Sequence, residues 1–183
     1  MVPQGDRGTQ AEIEAAGLTW SVVESVPITD PVKLGSPKRD SDIATFCQTL
    51  RNLAAAGIDV VCYNFMPVAD WTRTELAMPL PGGGTALSFD QTAFADFDLY
   101  LLERPGATTD YSEDEQIAAQ KYLNTLDQDA RTRLIETVTA GLPGADNHYD
   151  LAGFREAIAR FADLDKTGLR ENLRYFLEQV VPV

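Results

Sequence analysis

Histidine is almost missing from this 183-residue sequence, where His148 is the single example. Catalytic zinc and many other transition-metal centres draw on several His or Cys side chains, so the chain cannot supply a His-rich ligand set. Cysteine is nearly as scarce. Cys47 and Cys62 fall in a predicted helix and a predicted buried strand without Cys-x-x-Cys spacing, which argues against a disulfide framework and for a reduced, cytoplasmic protein. Cationic residues are also few: 15 Lys and Arg stand against 28 Asp and Glu, for a net charge of −13 and no basic tract. A surface for nucleic acid or an anionic membrane is excluded on that ground. No apolar run approaches the ~20 residues of a membrane-spanning helix, and the first ten residues lack a hydrophobic signal core.

What the sequence does have is apolar material for one sizeable core, 44% of its residues. Two segments stand out: Leu18-Thr-Trp-Ser-Val-Val-Glu-Ser-Val-Pro-Ile28 and Ile58-Asp-Val-Val-Cys-Tyr-Asn-Phe-Met-Pro-Val68. Both are rich in β-branched and aromatic residues and read as strands. Between them, Ile43, Phe46, Leu50 and Leu53 share one helical face over 41–56, and Gly57 stops the helix. That is a β-α-β unit, so the strands are expected to be parallel and adjacent, with the helix crossing between them. Residues 11–16 read as the end of an earlier helix closed by Gly17. Residues 29–40, punctuated by Pro31, Gly35 and Pro37, read as a loop.

The pattern changes after Arg73. Leu76 to Leu87 reads as an extended excursion around a Pro-Gly-Gly-Gly turn at 81–84, and a series of helices follows. Asp90 caps a helix carrying Phe94, Phe97 and Leu101, which ends at Arg-Pro-Gly 104–106. Ser112 and Glu115 form a capping box. Leu134, Ile135 and Val138 mark a third helix stopped by Gly141, and Leu151, Phe154, Ile158 and Phe161 a fourth. The last runs from about 167 to 180. Two strands are too few for a barrel or an ordinary sheet, so the chain reads as a piece of a larger β/α protein.

Parallel α/β folds collect their chemistry at the carboxyl ends of strands. Those ends, with the segment that follows the second, hold Glu24, Tyr63, Asn64, Asp70, Trp71 and Arg73. Glu24 is a carboxylate in an apolar strand, either a paired structural group or part of an active-site mouth. Tyr63 and Asn64 suit the binding of hydroxyls; the alternative is a core tyrosine and a turn-capping asparagine. Arg73 can clamp a carboxylate bidentately or pair internally with Asp70. Lys38-Arg39 is the other local basic spot, or else a solvated charge pair. Glu24, Tyr63, Asn64 and Arg73 are expected to converge on one concave face.

Three further motifs are set aside. Gly82-Gly83-Gly84 lacks the Gly-Lys-Ser/Thr ending of a phosphate loop. Asp163-Leu-Asp-Lys-Thr-Gly168 opens like a calcium loop, but Arg174 stands where the bidentate Glu belongs, so it reads as a helix-capping junction. His148 lies in a polar loop and reads as a surface residue.

Taken together, several stretches resemble mannonate dehydratase, a sugar-acid lyase with a xylose-isomerase-like TIM barrel. They are residues 16–28, Val-Lys-Leu-Gly-Ser-Pro-Lys-Arg-Asp at 32–40, Gln-Thr-Leu-Arg-Asn-Leu at 48–53 and Val-Cys-Tyr-Asn-Phe-Met-Pro-Val-Ala-Asp-Trp-Thr-Arg-Thr at 61–74. Arg-Pro-Gly-Ala at 104–107, Gly-Leu-Pro-Gly-Ala at 141–145 and Leu-Arg-Glu-Asn-Leu at 169–173 complete the set. The resemblance implies an α/β, partial TIM barrel over residues 11–183 with a helical insertion at about 74–166, behind an unrelated or disordered stretch at 1–10. It implies dehydration of D-mannonate to 2-dehydro-3-deoxy-D-gluconate in glucuronate catabolism, with Fe²⁺ or Mn²⁺ as cofactor. Cys62 and His148 do not match the family's metal-ligand motifs. The first barrel strand and the metal-binding half are therefore expected to lie outside this sequence, and the chain alone to be inactive. Glu24, Tyr63, Asn64, Asp70, Trp71, Arg73 and Arg39 are the expected substrate contacts; no catalytic acid or base is assigned. The expected partners are a small sugar acid and, at full length, a second copy in a homo-oligomer. Another xylose-isomerase-like sugar isomerase or epimerase, and a non-catalytic fragment, are the alternative readings.

Overall fold

The structure, a computed structural model, describes residues 4–24, 26–69, 71–140 and 149–183. It is α/β in class, mostly helical, with few strands. In order these are α1 (Gln4–Ala15), β1 (Val22–Val23), α2 (Asp30–Leu34), α3 (Arg39–Ala55), β2 (Val60–Val61), β3 (Glu75–Pro79), β4 (Thr85–Ser88) and α4 (Gln91–Asp96). Then follow a π-helical turn (Phe97–Leu101), a 3₁₀ turn (Ala107–Asp110), α5 (Glu113–Leu123), α6 (Gln128–Thr139), α7 (Leu151–Ala159) and α8 (Lys166–Val180). Among the described residues, no helix is long and apolar enough to cross a membrane. The chain divides into two compact units, residues 1–67 with 161–183, and residues 68–160.

In the first unit β1 and β2 are parallel, with Val22 opposite Val60 and Val23 opposite Val61, and α3 lies between them in sequence. The β-α-β reading holds, but the ladder is far shorter than the two 11-residue apolar segments. Each strand pairs only with the other among the described residues, so hydrogen bonding fixes only the few residues that face each other. The Cys62 N–H extends the pairing by donating to the Val23 carbonyl at 2.8 Å. Gly57, at φ 79°, ends α3 as expected.

One expectation needs correction here. The segment read as a loop over 29–40 contains α2, because Pro31 sits in the first turn, where its missing N–H costs nothing. Gly35 then stops it at φ +67°, and a Cβ there would meet Asn172 Oδ1 at 2.6 Å, a close approach that also requires glycine. The first helix runs from Gln4 to Ala15, with Gly17 at φ 73° just past it, as the reading of residues 11–16 as a helix end expects.

The first unit's core holds Ile28, Val32, Ile43, Phe46, Cys47 and Phe176. Phe176, only 1% exposed, meets the Phe46 ring edge-on at 5.0 Å between centroids. The Asn172 amide donates to the Lys33 carbonyl at 2.9 Å, tying α8 to the end of α2. Asp165 caps α8 by accepting from Gly168 N–H at 2.7 Å, so the 163–168 motif is a capping junction as read.

The second unit opens with an antiparallel hairpin of β3 and β4, then packs its helices around Ala93, Phe97, Leu102, Leu134, Val138 and Phe154. Asp90 Oδ1 accepts from Ala93 N–H at 2.8 Å, and Ser112 with Glu115 forms the full capping box. The helix predicted to carry Phe94, Phe97 and Leu101 is not uniform. Leu102 N–H reaches back five residues to the Phe97 carbonyl at 2.7 Å, giving a π-helical turn. α7 ends at Ala159, so Phe161 lies past it. Gly141, the expected stop of the third helix, lies outside the described residues.

Candidate functional site

The parallel register places the carboxyl ends of β1 and β2 side by side. Glu24 follows Val23 directly, and Tyr63 and Asn64 lie two and three residues beyond Val61, so all three leave the same end of the strand pair. Glu24 is exposed, Tyr63 is 41% exposed and Asn64 is half-buried. The Tyr63 ring stands 5.9 Å from that of Phe176 and lines a cleft of about 570 Å³. The rest of that lining is largely apolar, including Phe46, Leu50, Ile58, Val61 and Val180, with Arg51 and Asp59 at hand. An apolar wall suits packed side chains better than a polyol.

Arg39, at the start of α3, has its guanidinium carbon 3.7 Å from the centre of the Tyr175 ring and its Nε 3.6 Å from Asp40 Oδ1. Tyr175 in turn donates its hydroxyl to Asp40 Oδ1 at 2.9 Å. A cation held over a ring face and beside a carboxylate is a fixed group rather than a loosely solvated one.

Trp71 and Arg73 belong to the second unit, and Asp70 lies outside the described residues. The backbone around them is unusual. Val68 has φ 62° and Trp71 φ 51°, left-handed conformations that a β-branched and a bulky aromatic residue rarely adopt. Such geometry costs on the order of 1–3 kcal/mol per residue and persists only where surrounding contacts enforce it. Arg73 is one enforcing contact. Although only 7% exposed, it donates Nη1 to the Trp71 carbonyl at 3.0 Å and Nη2 to the Ala140 carbonyl at 3.3 Å. Its guanidinium therefore pins the Trp71 turn to the end of α6, while the Trp71 ring stays 57% exposed. The sequence flagged the Asp-Trp-Thr-Arg run but not this role for its arginine.

The residues thus fall into two groups: Glu24, Arg39, Tyr63 and Asn64 in the first unit, Trp71 and Arg73 in the second. Among the described residues, no three His, Cys, Asp or Glu side chains stand together as a metal-holding group. His148 lies outside those residues.

The model of the D-mannonate dehydratase (UxuA) family matches residues 7–183. The chain belongs to the mannonate dehydratase family. It is 66% identical over 171 residues to the mannonate dehydratase of Chromohalobacter salexigens, a match covering 93% of this chain and 44% of that protein. It is 49% identical over 176 residues to the mannonate dehydratase of a Marinomonas species, covering 96% of this chain and 45% of the relative. The crystal structure of mannonate dehydratase from Streptococcus suis serotype 2 superposes with a TM-score of 0.59 at 28% identity, over 97% of this chain and 37% of that one. The chain therefore spans less than half the length of the mannonate dehydratases it matches. The family match begins inside α1, within the stretch read from sequence as unrelated.

Two carboxylates that sequence reasoning missed lie in the second unit, at the junction of α4 and the π turn. Asp98, 3% exposed, takes a two-pronged contact from Arg104 and a hydrogen bond from the Tyr111 hydroxyl at 2.9 Å. Burial first, and then the negative Asp98 beside it, push the Tyr111 phenol above its ordinary range. Asp96 is fully buried, and neither of its carboxylate oxygens has a hydrogen-bond partner among the described residues. Desolvation raises its pKa to about 6 against the opposing pull of Arg131. The signal was present as Asp-Phe-Asp inside an apolar helical face, but helical periodicity cannot foresee the π turn.

Proposed function

We propose that this sequence supplies the substrate-side wall of a cytoplasmic mannonate dehydratase, which removes water from D-mannonate to give 2-dehydro-3-deoxy-D-gluconate in glucuronate catabolism. The observation that carries this reading is the 66% identity to the Chromohalobacter salexigens enzyme across 93% of the chain. The parallel β1–β2 pair with its intervening helix supports a partial xylose-isomerase-like barrel. On this reading the helical insertion spans about 74–166.

Dehydration takes a proton from the carbon beside the carboxylate and expels the neighbouring hydroxyl, and both events build negative charge. The chain's own residues contribute recognition. Glu24 and Asn64 grip hydroxyls at the strand ends, the 41% exposed Tyr63 adds its phenol hydroxyl although the cleft its ring lines is apolar, and Arg39 draws the carboxylate. Asp70 and Trp71 border the sugar acid, and Arg73 acts as a positioning residue by holding the Trp71 turn in its strained shape.

A divalent ion, Fe²⁺ or Mn²⁺, would supply Lewis acidity in the whole enzyme. The described residues do not fit such an ion, since no three ligating side chains converge among them. The test is to incubate the 183-residue chain with D-mannonate and Mn²⁺ or Fe²⁺ and to measure 2-dehydro-3-deoxy-D-gluconate. No product above the metal-only control is expected. Turnover like that of a full-length relative would contradict this division of labour.

A further inference from the structure

Asp96 and Asp98 stand two residues apart where α4 meets the π turn, and both are buried, at 0% and 3% exposure. The fold serves them differently. Asp98 receives the Arg104 fork and the Tyr111 hydroxyl. Among the described residues, no donor reaches either carboxylate oxygen of Asp96. A buried polar atom left alone forfeits the hydrogen bonds it made in water, so folded proteins pair such atoms with a protein group or with ordered water.

A complementary group lies close by. Arg131 on α6 is within electrostatic reach of Asp96, and its buried Nε–H finds no acceptor among the described residues. No hydrogen bond joins the two side chains. The Arg131 guanidinium is anchored elsewhere, by Nη2 donating to the Leu123 carbonyl at the end of α5 at 3.3 Å. The next arginine along the π turn is committed too: Arg155 gives Nε to the Leu102 carbonyl at 2.8 Å and Nη2 to the Leu101 carbonyl at 3.0 Å. Two acceptor atoms and one donor atom are therefore left over at one junction of helices.

We propose that Asp96 and Arg131 hold an ordered internal water, which accepts from Arg131 Nε–H and donates to the Asp96 carboxylate. The charges of the two groups select this ligand. A cation would be opposed by Arg131 and an anion by Asp96, each at short range in a medium of low dielectric. A neutral molecule that both donates and accepts suits both groups, and water is small enough to be enclosed. Asp96 Oδ1, Asp96 Oδ2 and Arg131 Nε together offer the roughly three partners that a buried water keeps. Such a bridge is nearly as favourable in enthalpy as a direct hydrogen bond. It explains how the fold keeps a carboxylate at 0% exposure without a side-chain donor, and it ties α4 to α6 at the start of the π turn.

Two measurements on the 183-residue chain test this. A high-resolution crystal structure should show a water within hydrogen-bond distance of both Arg131 Nε and a carboxylate oxygen of Asp96. Magnetic relaxation dispersion of the water oxygen counts the waters that stay bound for longer than the protein takes to tumble. Asp96→Leu should lower that count by one per chain, with circular dichroism checking that the variant is folded. The crystallographic readout needs no variant, so it decides even where leucine disturbs the fold. A dry junction, a direct contact between Arg131 and Asp96, another protein donor in the water's place, or an unchanged count in folded Asp96→Leu would each overturn the proposal.

Discussion

Arg104 holds Asp98 through two parallel contacts, Nε to Oδ1 at 2.8 Å and Nη2 to Oδ2 at 2.7 Å. It reaches Asp110 Oδ2 with the same Nη2 at 2.7 Å. Because Asp98 is 3% exposed, its charge is tolerable only while this fork and the Tyr111 hydroxyl are in place. Removing one partner of a buried pair costs about 3–5 kcal/mol, since the other charge is left stranded. Arg104→Met is therefore expected to destabilise the protein by that amount in urea unfolding. Arg104→Lys should recover only part of the loss, because an ammonium cannot form the fork. Equal stability of the two variants would show that the geometry of the contact matters little.

Asp96 behaves in the opposite sense. Its folded pKa lies near 6, above the ordinary value of 3.8, so the unfolded chain releases this proton first as pH rises. The contribution of Asp96 is fully present below about pH 4 and is lost as pH climbs through 6. Arg131 on α6 opposes the shift, and Tyr122 lies within electrostatic reach of Asp96 as well as of Asp90 and Glu75. Asp96→Asn cannot ionise, so the wild type should weaken relative to it by on the order of 1–3 kcal/mol between pH 4 and 7. Thermal unfolding of both proteins across that range measures the difference. A constant gap would show that Asp96 does not titrate there.

Local signals in the sequence translated directly into structure where one residue governs one hydrogen bond. Asp90, the Ser112–Glu115 pair and Gly57 each sit where their capping chemistry predicts, and the β-branched segments formed the expected parallel pair. What stayed hidden depends on contacts distant in sequence. α2 takes its place through packing of Val32 and the Asn172 bond to Lys33, neither visible in a run punctuated by prolines and a glycine. The π turn after Asp96, closed by Leu102 N–H on the Phe97 carbonyl, leaves no trace in a 3.6-residue periodicity. Arg73 read equally well as a substrate clamp or a partner of Asp70, and only the folded chain shows it bonded to the Trp71 and Ala140 carbonyls. The substrate contacts were suggested by strand-end position and by resemblance, and the structure places Glu24, Tyr63 and Asn64 together at one strand end.

The most direct test of the account is a chimera in which this chain replaces the 171 matching residues of the Chromohalobacter salexigens mannonate dehydratase. The measurement is formation of 2-dehydro-3-deoxy-D-gluconate from D-mannonate with Mn²⁺, alongside a ketose as competing substrate. The account predicts dehydration of mannonate within about tenfold of the parent enzyme and no action on the ketose. A soluble, folded chimera that leaves mannonate unchanged, or that isomerises the ketose instead, would contradict it.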